Sequence, residues 1–368
     1  MNINTGKLKL LIDLACGFVG SNPIQAIKEN LLFDATSSHL IIRAEDEDGG
    51  IRIETDIDVL AKERFFLAVP SRILQSTFKQ LTDTAVDLVA DTEKHTLEIH
   101  SSNGRYKISC EAGGDFPKFP KLPETMLPVK SEAIIGGLRS TVPVTCTDEL
   151  RYAMNGVRIA EGKNGPVLFG TDGYTCVRLE NPALKNFPVN NTLHRKSANK
   201  LLTVLSGKQA DVLVGVAEYK MFFDVDGITV YGTTIMDKFP DCTPFFGQAS
   251  EVITVKMRSA EMLGCLRRAS VYTARTNPII TLSIKGQGLN LSGKDLLDFS
   301  RNFSEDFSVE HEGDDIDIAF NIQKLAELIS LVETEELTLR FSAPGKPVRI
   351  SNENLRLEGI LMPTMINK

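Results

Sequence analysis

The sequence is poor in the arrangements that carry catalysis. Its six cysteines, Cys16, Cys110, Cys146, Cys176, Cys242 and Cys265, lie far apart with no CxxC spacing, so they read as small buried side chains in a reducing cytoplasm. No two of the five histidines have the spacing of metal ligands on a helix. No apolar run is long enough to span a bilayer, and the Leu8–Val19 stretch is interrupted by Asp13 with no small-residue cleavage site after it, which argues against a secretion signal. The run from Gly288 to Asp295 nearly spells a phosphate-binding loop. Asp295, however, replaces the Ser or Thr that would ligate magnesium and would repel phosphate, and the alternation on either side makes Gly286-Gln287-Gly288 a hairpin turn. Asp46-Glu47-Asp48 before Gly49-Gly50 lacks the spaced ligands of a calcium loop and reads as a solvated turn. Asp148 and Glu149 have no nucleophile or electrophilic stabiliser near them in sequence. These absences point away from an enzyme and call for no cofactor and no metal.

What the chain does have is internal repetition. A helix followed by short strands of period two occurs twice in each third of the sequence. Helices are expected at Lys7–Leu14, Ser71–Leu81 opened by Pro70, Ala133–Arg139, Lys196–Leu205, Arg258–Tyr272 and Asn321–Val332. Strands such as Leu31–Phe33, Leu40–Ile42, Ile51–Ile53, Val86–Val89, Thr96–His100 and Arg105–Ile108 follow them. The reading is an α+β chain of three repeated domains, 1–124, 125–247 and 248–368, each with two helices against antiparallel sheets, or six half-repeats of βαβββ type. A chain of 368 residues with 42% hydrophobic side chains can bury several such cores.

Charge is unevenly shared. The chain carries −7 overall, yet the predicted helices hold Lys7, Lys9, Arg72, Lys79, Arg139, Lys196, Lys200, Arg267, Arg268 and Lys324, with Arg195 and Arg258 beside them, against only Asp13, Glu132, Glu261 and Glu327. Helices sharing a positive face on acidic sheets suggest a ring lined with cations. If two chains supply twelve helices about 10 Å apart, the circle is roughly 120 Å around and roughly 38 Å across at the helix axes. Subtracting helix radii leaves a hole of about 28 Å, wider than a duplex of roughly 20 Å.

Specific residues carry a family resemblance. Glu149-Leu150-Arg151-Tyr152-Ala153-Met154-Asn155-Gly156 followed by Phe169-Gly170-Thr171-Asp172-Gly173-Tyr174, then Lys238-Phe239-Pro240-Asp241, the late Ile360-Leu361-Met362-Pro363, and Gly114-Asp115-Phe116-Pro117 all resemble the bacterial sliding clamp family, the beta subunit of DNA polymerase III. The order and spacing of these short motifs span the whole chain. The resemblance implies clamp-type domains forming half of a closed ring, in a cytoplasmic homodimer that encircles double-stranded DNA without sequence preference. Such a ring tethers the replicative DNA polymerase and has no active site. It also implies that the polymerase, the clamp loader and other proteins with clamp-binding motifs insert a peptide into a cleft walled by Met154, Thr171, Gly173, Tyr174, Thr175, Cys176, Pro240, Phe245, Ile360, Leu361, Met362 and Pro363.

The helix cations other than Arg195 and Arg258 would face DNA, and the resemblance places Tyr106 and Ile108 beside Val271 and Tyr272 of a second copy. The chain departs from the family pattern at Tyr174-Thr175-Cys176, where His-Arg-Leu is frequent, near Pro244, where an arginine is frequent, and at Thr364-Met365-Ile366. Its Gly20-Ser21-Asn22-Pro23 loop lacks a basic residue often used against DNA. A repeat-built protein-binding scaffold without DNA would share the fold and the cleft. It would keep its binding after Arg267, Arg268 and Lys200 were neutralised.

Overall fold

The computed structural model describes residues 2–20, 22–36, 39–56, 64–246, 252–274, 276–294, 301–352 and 356–365. Ser21, Asp295, Ile366 and the expected joint at 247/248 lie outside them. Among the described residues six α-helices form where apolar residues recur every three or four positions: α1 (Thr5–Cys16), α2 (Ser71–Gln80), α3 (Ser131–Thr141), α4 (Arg195–Leu205), α5 (Ser259–Tyr272) and α6 (Ile322–Val332). Thus α1 buries Leu8, Ile12 and Ala15, and α6 buries Leu325, Leu328, Ile329 and Val332. Side-chain caps start two of them. Asn4 accepts from Lys7 N, and Asn321 accepts from Gln323 N and Lys324 N. Pro70 is not the first helical residue of α2. It has extended geometry, caps the helix and ends the strand Phe65–Pro70, whose antiparallel partner is Asn30–Ala35.

Each helix is preceded by one strand and followed by three, so βαβββ recurs six times, with the short strands Glu111–Ala112 and Glu310–Glu312 added. The pairing explains why half-repeats come in twos. Asn2–Asn4, ahead of α1, pairs with Ala85–Asp91, after α2, and Phe65–Pro70, ahead of α2, pairs with Asn30–Ala35, after α1. Ile253–Arg258 and Ile316–Asn321 exchange in the same way with Glu336–Phe341 and Ile279–Lys285. A half-repeat by itself would leave a bare sheet edge, which its neighbour covers. The hairpin turn at Gly286-Gln287 is present: Lys285 pairs with Gly288, and Gly286 has φ +54°.

The described chain packs as two compact units. The first is Met1–Ile135 with Ala183–Met236, and the second is Gly136–Pro182 with Asp237–Lys368, so the middle third of the sequence contributes to both. In the first unit α1 packs on α2, where Gln75 Nε2 donates to Asp13 Oδ1 at 2.8 Å. A nine-stranded sheet runs from Leu127–Lys130 through Ile228–Thr233 and Gly49–Asp56 to Glu111–Ala112. At its centre Gly49 and Gly50 lie against Tyr231, and a Cβ on Gly50 would fall 2.5 Å from the Tyr231 ring. That close approach is why glycine occupies both positions.

In the second unit α5 packs on α6, and α6 lies on the strand Leu357–Leu361. There a Cβ on Gly359 would sit 2.2 Å from Leu328 Cδ1. Val167–Thr171, Thr175–Glu180, Leu357–Leu361 and Val348–Asn352 are consecutive antiparallel neighbours in this unit. That block positions the groove described next.

Candidate functional site

Three stretches distant in sequence converge in the second unit on a groove of about 150 Å³. Met154, Thr171, Gly173, Tyr174, Thr175, Cys176, Pro240, Phe245, Ile360 and Met362 line it, together with Asp241 and Cys242, which the sequence reading did not assign to the wall. The Lys238–Asp241 motif already pointed at Asp241, whereas Cys242 carried no signal of its own. Two expected wall residues are elsewhere. Leu361 is 1% exposed because alternation along its strand turns it inward while Ile360 turns toward the groove. Pro363 is half-buried in the exit segment, held between Met362 N on Tyr174 O at 2.9 Å and Thr364 N on Ala319 O at 2.7 Å.

The groove has a buried floor and an open rim. Thr171, Thr175, Cys176, Cys242 and Ile360 are buried, while Tyr174 is 54% and Phe245 50% exposed. The turn bearing Tyr174 is fixed by its own polar groups. Asp172 Oδ1 accepts from Tyr174 N at 2.9 Å and Thr175 N at 2.7 Å, Thr171 Oγ1 donates to Thr175 O at 2.7 Å, and Gly173 has φ +88°. Lys324 pairs with Asp172 and lies 5.6 Å from the Tyr174 ring centroid, with the Arg151 guanidinium 5.7 Å from the same centroid. Tyr174 therefore has two cations within 6 Å of its ring centroid. On the floor the Cys176 and Cys242 thiols influence each other: the neighbouring sulfur holds Cys242 below the usual thiol range, and together with burial it raises Cys176.

The basic residues read from the helices divide by environment. Lys7, Arg72, Lys79, Arg139, Lys196 and Arg267 are exposed, and Lys9 is half-buried. Lys7 Nζ donates to Asp56 O at 3.1 Å, and Lys196 meets Asp48 at 3.2 Å. Three belong to other structures. Lys324 is at the groove rim. Arg268 makes a two-pronged pair with Glu305, 2.6 Å at each contact. Lys200 is half-buried, paired with Asp46 and 5.2 Å from the Phe18 ring centroid.

The Asp46–Asp48 turn is accordingly not merely solvated. Asp46 is salt-bridged to Lys200 of α4, Ser197 Oγ donates to Asp48 O at 2.6 Å, and Asp48 lies 3.3 Å from His194 Nδ1. Burial holds the His194 imidazole below its usual range. Among the expected contact residues for a second copy, Tyr106, Val271 and Tyr272 are exposed, but Ile108 is 4% exposed. Ile108 pairs opposite Leu97 with its side chain in the core of its own unit. Its substitution would test folding and not assembly.

Among the described residues no group of three or more His, Cys, Asp or Glu is placed to hold a metal ion, and no helix is long and apolar enough to cross a membrane. Fold and groove together define a binding scaffold of repeated βαβββ units with an apolar trough in its second unit. Residues 1–120 match the family model of the DNA polymerase III beta subunit N-terminal domain, and residues 248–365 match that of its C-terminal domain. The chain belongs to the DNA polymerase III beta subunit family.

It is 22% identical over 387 residues to the beta sliding clamp of Synechocystis sp., covering 96% of each chain. It is 23% identical over 363 residues to that of Synechococcus elongatus, covering 94% of this chain and 93% of the relative. Its fold matches the DNA polymerase III subunit beta from Pseudomonas aeruginosa with a TM-score of 0.91 at 17% identity, covering 100% of both. It also matches a sliding clamp from Bartonella birtlesii bound to griselimycin, with a TM-score of 0.92 at 18% identity, covering 100% of this chain and 99% of the other.

Proposed function

We propose that this protein is a DNA sliding clamp. Two copies close head to tail into a six-domain ring, three domains per copy at 1–124, 125–247 and 248–368, and the ring holds the replicative polymerase on duplex DNA. The observation that carries the reading is the sixfold βαβββ repeat in a chain that aligns with beta sliding clamps over nearly its whole length. A closed ring contributes topology in place of bond chemistry. A polymerase attached to it stays at high effective concentration near the primer end, so each dissociation is followed by rapid rebinding. The exposed cations Lys7, Lys79, Arg139, Lys196 and Arg267 supply attraction to phosphates without reading bases, which leaves successive positions along the duplex equivalent.

The groove receives a short apolar peptide from the polymerase, from the clamp loader or from other partners, which compete for it. Its composition supports this: the aromatic and methionine side chains at its rim are solvent-exposed, and fully burying one such side chain is worth about 1.5–3 kcal/mol. The backbone around Thr171 and Asp172 is already committed, so the rim is preformed and loses little freedom on binding.

Ring closure uses open sheet edges. Arg105–Ser109 is the outermost strand of its sheet and Asn302–Ser308 of another, with exposed Tyr106 near the first edge and Val271 and Tyr272 on α5. Val271 is 66% exposed, so Val271→Asp leaves the core of its own unit intact. Light scattering should report about twice 40.5 kDa for the native protein and a single chain mass for the variant. A variant that stays dimeric would refute this interface.

A further inference from the structure

The groove floor contains a feature that a peptide site does not require. Cys176, on the strand Thr175–Glu180, and Cys242, ahead of the turn Thr243–Phe246, come from distant parts of the sequence. Both line the groove and both belong to one buried cluster with Val167, Phe169, Phe246 and Ile360. The Cys176 Sγ–H points to Val177 O at 4.0 Å, the two sulfurs are near enough to influence each other's ionisation, and the Thr171 side chain acts on both. The other four cysteines have different company: Cys16 lies near Asp13 and Lys79, Cys110 Sγ donates to Ile108 O at 3.6 Å, Cys265 lies beside Glu305, and Cys146 accepts from Asp148 N at 3.4 Å.

We propose that Cys176 and Cys242 are an oxidation site, forming a reversible disulfide when the protein meets a hydroperoxide, and that this bridge closes the groove to its peptide. The second half rests on the peptide-groove reading above; the first does not. The chemistry follows from the asymmetry of the pair. Cys242 is the more exposed of the two, at 8% against 4%, and its thiol is held below the usual range by the neighbouring sulfur, which makes Cys242 the nucleophile. The thiolate attacks one peroxide oxygen, the O–O bond breaks, hydroxide leaves and Cys242 becomes a sulfenic acid. The Cys176 sulfur then attacks the Cys242 sulfur, the S–O bond breaks, and the thiol proton leaves with the departing hydroxyl as water. Two electrons pass from the thiols to the peroxide, and a dithiol reductant returns them by exchange.

Closure follows from geometry. A disulfide brings the sulfurs to about 2.05 Å, well inside any non-covalent approach. Cys242 moves with its neighbours, since Phe245 N donates to Cys242 O at 3.1 Å and Pro240 precedes it by two residues. Drawing this segment toward the strand narrows a groove of only about 150 Å³ between Pro240, Phe245 and Tyr174.

The test uses the full chain, reduced, then treated with stoichiometric hydrogen peroxide. Alkylation and peptide mapping locate the bridge, and calorimetry with griselimycin, which is bound in a related clamp structure and is proposed to seat in this groove, reads the groove. The expected result is a Cys176–Cys242 linked peptide pair that dithiothreitol removes. Griselimycin affinity should fall at least tenfold on oxidation and recover on reduction, and Cys242→Ser should show the same affinity before and after peroxide, whatever that affinity is. Peroxide treatment that leaves no link between these two residues would overturn the bridge. A link with unchanged affinity would overturn the closure. If the reduced protein fails to bind griselimycin, the groove reading and the closure fall together, while peptide mapping still decides the bridge.

Discussion

Two lysines, one in each unit, make the same three-part contact to different ends. Lys200 of α4 pairs with Asp46 and lies 5.2 Å from the Phe18 ring centroid; Lys324 of α6 pairs with Asp172 and lies 5.6 Å from the Tyr174 ring centroid. Phe18 is 2% exposed and Tyr174 is 54% exposed. With the ring buried, the contact is a structural staple between the turn after His39–Glu45 and a helix. With the ring exposed, it becomes a stiff rim that holds an aromatic face toward solvent, available to a partner. Cation, carboxylate and aromatic ring do not by themselves make a binding site; the side left uncovered does.

The sharpest way to break the comparison is at the buried copy. Asp46→Ala strands the Lys200 ammonium, whose side chain is only 14% exposed, and should cost about 3 kcal/mol, or roughly 6–12 °C in Tm by calorimetry. A loss under about 1 kcal/mol would show that the staple is not structural. At the open copy the effects should be reversed. Tyr174→Ala should change stability by less than about 0.5 kcal/mol, yet weaken the proposed binding of griselimycin in this groove about tenfold or more in a calorimetric titration.

The smallest effect concerns pH beside the staple. Burial depresses the folded-state pKa of His194, so the unfolded chain takes up the extra proton first. Stability from this group is complete above the ordinary histidine value of about 6.5 and is lost as pH falls toward the folded value. Tm should therefore drop between pH 7.5 and 5.5, and His194→Gln should flatten that drop. An unchanged slope would assign it to other groups.

The sequence made the helices legible because each buries one stripe, and a stripe is a local pattern. The same holds for the Gly286-Gln287 turn, whose flanking strands alternate. What escaped was decided by partners far along the chain. The Asp46–Asp48 turn looked solvated because Lys196 and Lys200 are about 150 positions away, and Lys324 looked like one more helix cation because Asp172 is just as distant. Ile108 shows a subtler limit. Alternation marks Arg105–Ser109 as a strand, but which of its residues face inward depends on the sheet it joins. Ten of the twelve residues that the family resemblance implies for the groove line it; strand parity turns Leu361 inward, Pro363 lies in the exit segment, and Cys242 has no motif to betray it.

The central claim is that a closed ring, and not affinity for DNA, keeps this protein on its template. The direct measurement is residence time on nicked circular DNA after loading by a clamp loader, before and after the circle is cut once with a restriction enzyme. The protein should remain on the intact circle, leave rapidly from the linear molecule, and be retained again when both ends are blocked by bound protein. Equal residence on circular and linear DNA would contradict the account.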